Sequence, residues 1–348
     1  MGRRGGSRGY PRPRWDSGAP FFYALNLFPA GLRINSTADI FYFHRNFPAT
    51  GGKGMDYIHI TEMPDLRSPT LLLAFSGWND ASNAATTAAS FIREELGGSE
   101  FASIESDIFY NFQDTRPLVS LDEEGQRQIA WPCNTFYACR TPHNDHDLIL
   151  FVGVEPHLQW KQFTQIIYSL AQKCGVRMAV TLGALLADVY HRSAVRITGS
   201  STNLELAERL GLKRSGYEGP TGIVGILNNL FKDQSLPAVS IWANVPHYVN
   251  VTPNPKAALA LVRRLSEFLM IDVNVSELET GSTDFDDKVD QALESNKAVK
   301  EYVEELKHRS ETEEEEESGG LPSGEDVARE VERFLRERER GNNGDADS

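Results

Sequence analysis

The segment Thr70-Leu71-Leu72-Leu73-Ala74-Phe75, followed by Ser76-Gly77-Trp78-Asn79-Asp80 and then by Ala81 to Phe91, decides the fold. A continuous apolar run bounded by a glycine turn reads as a strand buried on both faces. The segment after the turn carries Ala84, Ala85, Ala88 and Ala89, then Phe91 and Ile92, and reads as a helix packed close to its neighbours. Asn79 or Asp80 is suited to cap it, since a short side-chain acceptor satisfies one of the first free amides. Strand, tight turn and helix together form the opening unit of a doubly wound α/β domain.

Three more core strands follow the same grammar. Asp147–Gly153 leads through Val154-Glu155-Pro156-His157 into a helix with Trp160, Phe163, Ile166, Ile167 and Leu170 on one stripe. Gly175–Gly183 is the next strand, ending in glycine. Ile197-Thr198-Gly199-Ser200-Ser201 then precedes a helix with Leu204, Leu206 and Leu210, and Gly219-Pro220-Thr221-Gly222 enters another with Ile223, Ile226, Leu227 and Leu230. Ala238–Ala243 is the fourth core strand, and Asn254-Pro255 opens a long helix in the favoured order of cap and first residue. Shorter candidates are an edge strand in Met55–Ile60, a strand from Ile104 to Tyr110 by alternation, and Thr135–Cys139. The expectation is a three-layer α/β/α sandwich with a mostly parallel sheet over 55–280.

In such sheets ligands sit beyond the carboxyl ends of the strands. The ligand-binding candidates are therefore Ser76, Gly77, Trp78, Asn79, Asp80, Glu155, Gly183, Gly219, Thr221 and Gly222. Free amides at a helix N-terminus attract anions, but plain turn and cap duty competes for these same residues. Neither a Walker A loop nor G-x-G-x-x-G is present. Ser76 lacks a G-x-S-x-G context, the eight histidines form no HExxH or HxH cluster, and Asp114, Arg116 and Asp188 are placed only loosely near the rim. No catalytic constellation, metal site or cofactor is expected.

The ends of the chain differ from its centre. Residues 1–54 are rich in Gly, Arg, Pro and aromatics without helical or strand period, and read as a disordered leader or as sequence upstream of a true start at Met55. Two amphipathic helices broken near Asn296 form an appendage over 281–309, and an acidic linker is expected over 310–322. A terminal helix over 323–340 places Val327, Val331, Phe334 and Leu335 on one stripe, a partner-binding candidate.

Across 348 residues, 40% are hydrophobic and 24% charged, enough for one sizeable core. A net charge of −14 argues against a general nucleic-acid binder. No run approaches a transmembrane span, and Cys133, Cys139 and Cys174 lack pairing or metal spacing, as in a reduced, cytoplasmic protein.

Five segments in this order, namely Phe75-Ser76-Gly77-Trp78-Asn79-Asp80-Ala81, Phe109-Tyr110 to Arg116-Pro117, Gly153-Val154-Glu155-Pro156, Thr181-Leu182-Gly183-Ala184 and Gly219-Pro220-Thr221-Gly222-Ile223, resemble the proteasome assembly chaperone 2 family. Trp242 to Val249 and Leu321-Pro322-Ser323-Gly324 are most similar to its longer actinobacterial branch. The resemblance implies a phosphorylase/hydrolase-like sandwich, self-association as trimers and a chaperone role toward proteasome subunits. Two readings result: a non-enzymatic binding protein for oligomeric assemblies, or an enzyme or sensor for a nucleoside or phosphate-bearing ligand at the rim.

Overall fold

The computed structural model describes residues 41–43, 57–122, 124–209, 212, 217–249, 251–294 and 297–316. The terminal helix with Val327, Val331, Phe334 and Leu335, and the leader apart from 41–43, lie outside the described residues. In chain order the elements are β1 (Phe41–Phe43), β2 (Ile58–Ile60), β3 (Thr70–Ser76), a single 3-10 turn (Ala81–Asn83), α1 (Ala84–Glu95), β4 (Ser99–Ile104), β5 (Leu118–Leu121), β6 (Arg127–Pro132), β7 (Asn134–Cys139) and β8 (Leu148–Val154). Then follow α2 (Trp160–Lys173), β9 (Met178–Ala187), β10 (Ile197–Ser201), α3 (Leu204–Arg209), α4 (Ile223–Asp233), β11 (Ala238–Pro246), α5 (Pro255–Leu269), α6 (Ser276–Glu294) and α7 (Lys297–Glu316).

Eight strands form one sheet in the order β10-β11-β9-β3-β8-β7-β4-β2. β11, β9, β3 and β8 run parallel, and the flanking strands on both sides are antiparallel. The sheet is thus mixed, with its parallel part confined to the four central strands. These are the strands that sequence reads as continuous apolar runs, because helices cover both faces of the sheet's centre.

The period-two geometry of β3 shows how the layers form. Leu71, Leu73 and Phe75 face a core shared with Phe163, Ile166, Ile167 and Leu170 of α2 and with Ile223, Leu227 and Phe231 of α4. Leu72 and Ala74 face the opposite core, with Ala84, Ala85, Ala88 and Ala89 of α1 and Leu261, Val262 and Leu265 of α5. The alanines of α1 are fully buried, so their small size sets how closely α1 lies on the sheet. Their replacement by larger side chains costs about 1–3 kcal/mol each through overpacking. α5 begins as its sequence says, with the Asn254 side chain accepting from the Ala257 amide at 3.0 Å and proline at the first position.

Several elements depart from the sequence expectation. Ile104–Tyr110 is not a strand. β4 ends at Ile104, and Phe109 and Tyr110 are buried in a turn in which the Phe109 amide donates to Ser106. The apolar spacing there reflects packing of Phe109 on Phe163 rather than a pleat. β9 runs past Gly183 to Ala187, because β11 pairs with it through Pro246. α6 starts at Ser276, ahead of 281. α7 continues to Glu316, into the stretch that composition assigns to an acidic linker, since glutamate is itself a good helix former.

Candidate functional site

β3 and β8 lie side by side, but their connections leave on opposite faces, β3 into α1 and β8 into α2. That divergence opens a crevice at their carboxyl ends, where ligands sit in open α/β sheets. The loops after β3 and β8 and the loop entering α4 meet there, and Glu155 joins them. The Glu155 amide donates to the Ser76 carbonyl at 2.8 Å. One carboxylate oxygen accepts from the Ile223 amide at 2.8 Å and from the Asn79 side chain at 3.1 Å, and the other accepts from the Trp78 amide at 3.2 Å. A carboxylate on the first amide of α4 suits both the unpaired donor and the helix dipole.

Glycine is required on both sides of this carboxylate. Gly77 has φ +129°, and a Cβ on it would lie 3.1 Å from the Glu155 Cβ. A Cβ on Gly222 would lie 2.7 Å from the Glu155 carboxylate and closer still to the Asn79 amide. Gly183 serves packing instead, lying against the Trp242 ring where a methyl group would overlap it. Gly219 and Thr221 are exposed, on the outer side of their loop.

Asp80 resolves which residue caps α1. Buried beneath the 3-10 turn, it accepts from the Ala85 amide at 2.6 Å, the Thr86 amide at 3.2 Å and the Thr86 hydroxyl at 2.5 Å. Burial pushes its carboxyl up to about 6, against the pull of those three donors. Asn79 instead ties the turn to the next strand, its carbonyl accepting from the Ala184 amide at 2.8 Å. The N-termini of α1 and α4, the two anion-seeking features of the rim, are therefore each already served by a carboxylate of the chain.

Beside Glu155 lies a buried polar group that sequence did not signal as a site. The Tyr110 hydroxyl donates to the Val154 carbonyl at 2.6 Å, and Asn134 bonds both the Tyr110 oxygen and, at 3.0 Å, the Val154 amide. Burial drives the Tyr110 phenol far above its usual range, so it acts as a fixed donor. An asparagine opening an otherwise apolar strand, Asn134, was the available hint.

The other half of the rim, beyond β9 and β11, is closed by helices. The ring of His191 joins the Tyr248 hydroxyl and Asp290 of α6, each at 2.9 Å. Arg192 bridges Asp287 and Asp290, and Lys256 donates to Asp286 at 2.7 Å and to the His191 carbonyl at 2.5 Å. Burial lowers the His191 pKa although Asp290 opposes it. From α7, Tyr302 reaches Asp188 at 3.3 Å and Arg309 reaches the Asp188 carbonyl at 2.5 Å. Asp188 is thus a docking point for α7. Asp114 bonds locally to Asn111 at 2.6 Å, and Arg116 lies exposed in the loop before β5.

The open half carries exposed apolar side chains, Trp78 at 64% and Leu158 at 51% of full exposure, and Leu185 and Leu186 are exposed at the end of β9, next to the closed half. Among the described residues no group of three or more His, Cys, Asp or Glu stands together as a metal site, and no helix is long and apolar enough to cross a membrane.

An eight-stranded α/β sandwich with a cross-linked rim and appended helices defines the structural class. The chain belongs to the PAC2 family, whose model matches residues 74–293. A PAC2 family protein from Streptomyces avermitilis is 40% identical over 68% of this chain and 99% of its own, with a TM-score of 0.62. A Mycobacterium tuberculosis structure described as a proteasome-assembly chaperone homologue is 34% identical over 67% of this chain and 99% of its own, also with a TM-score of 0.62. An archaeal proteasome activator from Pyrococcus furiosus, 18% identical, shares the fold over 68% of this chain and 97% of its own, with a TM-score of 0.56. No protein of curated function matches the sequence.

Proposed function

We propose that this protein is a non-enzymatic binding protein that holds subunits of an oligomeric, proteasome-like assembly through the open half of its rim. The observation that carries the reading is the state of Glu155. Three donors of the chain, the Ile223 amide, the Asn79 side chain and the Trp78 amide, converge on its carboxylate, which supports a role in holding the loops together. With Asp80 likewise engaged, what the rim offers outward is apolar, led by Trp78. Exposed aromatic residues on a rigid base are common anchors of protein interfaces. The M. tuberculosis relative, described as a proteasome-assembly chaperone homologue, supports the choice of partner class.

Binding of purified proteasome α-subunits to the full chain tests this by calorimetry. Wild type is expected to bind, and Trp78→Ala to weaken binding at least tenfold, a loss of about 1.4 kcal/mol or more. Equal affinity for wild type and Trp78→Ala sinks the assignment of the face. Absence of binding by wild type sinks the partner class.

A further inference from the structure

The carboxylate that ties the open loops together is not fully satisfied by them. A carboxylate offers about four acceptor positions, two on each oxygen. On Glu155, Oε1 takes two donors, the Ile223 amide at 2.8 Å and the Asn79 side chain at 3.1 Å, both in part-buried surroundings. Oε2 takes one, the Trp78 amide at 3.2 Å, and that bond lies on the exposed side. An acceptor position on Oε2 therefore stays open toward the surface.

Its charge is unbalanced as well. Asp147 and Asp286 are buried against a cation, Arg67 at 2.8 Å and Lys256 at 2.7 Å. Glu155 is half-buried, and among the described residues no Lys, Arg or His pairs with it. The α4 dipole offsets on the order of half a charge, and acts at Oε1, where the Ile223 amide sits. Taking a carboxylate fully out of water is costly unless a cation pairs with it. A subunit that covers this rim must therefore bring one. Beside Oε2 stands Trp78, 64% exposed, on the very residue whose amide holds that oxygen. An aromatic ring is itself an attractive surface for a cation.

We propose that the open rim receives a lysine side chain of the docked subunit, its ammonium on Oε2 of Glu155 and its methylene stem along Trp78. Lysine fits better than arginine. A guanidinium takes a carboxylate through both oxygens at once, and Oε1 is already full. An anionic group, which a bare helix N-terminus would attract, is turned away by the carboxylate that caps α4. The assignment rests on the open half being the docking face, and adds the chemistry of the anchor that the face selects.

Two arms of one experiment test this and keep its failure apart from that of the docking face. In the first, N-acetyl-lysine amide is titrated into the full chain labelled with fluorotryptophan, and the Trp78 resonance is followed by fluorine NMR. A saturable shift at millimolar concentration is expected with the lysine amide. The uncharged norleucine amide should give none, and the arginine amide should bind more weakly. Glu155→Gln, which keeps an acceptor oxygen for Ile223, should weaken lysine binding about tenfold. Lysine and norleucine amides that act alike on the unaltered chain overturn the proposal, as does a folded Glu155→Gln that binds lysine amide like wild type. Equal affinity for the arginine amide overturns the choice of lysine. In the second arm, purified proteasome α-subunits are offered with their lysines acetylated, which removes the charge, or dimethylated, which keeps it. Acetylation should weaken binding about tenfold and dimethylation should change it little. Acetylated subunits that bind as unmodified ones do overturn the proposal. If unmodified subunits fail to bind, the partner class falls, and the first arm still decides whether the rim selects a cation.

Discussion

The two halves of the rim reach closure by different means. Beyond β9 and β11, two added helices cover the strand ends through a dense ionic and aromatic set, with His191, Arg192 and Lys256 against Asp286, Asp287 and Asp290. Beyond β3 and β8 one carboxylate, Glu155, ties three loops together, and the surface outside it stays open and apolar. The difference teaches that strand-end carboxylates in this molecule are connectors. Where helices cover the rim, Asp188 after β9 receives Tyr302 of α7 while α6 brings its own carboxylates to His191, Arg192 and Lys256, and where nothing covers it Glu155 holds the loops in one shape for whatever docks above.

The largest effect should come from breaking the closed half. Lys256→Met leaves Asp286 buried without its cation, a loss of about 3 kcal/mol, read as a drop in urea midpoint at unchanged slope. The open half should follow closely. Glu155→Ala strands the Ile223 and Trp78 amides, costing about 2–3 kcal/mol, whereas Glu155→Gln should recover part of that by keeping one acceptor oxygen. Equal stability of Glu155→Ala and wild type would refute the connector role.

A titration sharpens the comparison further. Asp80 has a folded-state pKa raised to about 6, above an unfolded value of about 3.9. The folded chain therefore holds the proton more tightly, and this group's contribution is full below about pH 4 and is lost as pH rises through 6. Melting temperatures of wild type minus Asp80→Asn should fall across that interval, by up to about 2 kcal/mol in free energy. A difference that is flat with pH would refute it. Smaller still, Tyr302→Phe should leave global stability within about 0.5 kcal/mol but speed amide exchange in α7, where it loses its bond to Asp188. Trp78→Ala should change stability least of all, its side chain being mostly in water.

Much of the fold was legible because burial on both faces writes itself into sequence. Leu71–Phe75, Leu148–Val152 and Ala238–Ala243 have no alternation to misread, and Asn254-Pro255 caps α5 as its order states. The convergence of Ser76–Asp80, Glu155 and Gly222 followed from the rule about strand ends. What Glu155 does there was not legible, because its partner amide at Ile223 is 68 residues away and helix dipoles are blind to which anion serves them. The contact between His191 and Asp290 spans 99 residues and left no local pattern. The β5–β6 hairpin was missed because its strands are short and exposed, with apolar residues on both of its faces.

The sheet order also has a consequence for how the chain is made. β3 is the first core strand to leave the ribosome, yet Thr70 has Leu148 and Met178 as its two neighbours. Its most apolar segment must therefore stay unpaired while the intervening stretch is synthesised, for several seconds at about 5–20 residues per second. Until β8 and β9 emerge, the nascent chain is itself a client for protection from aggregation.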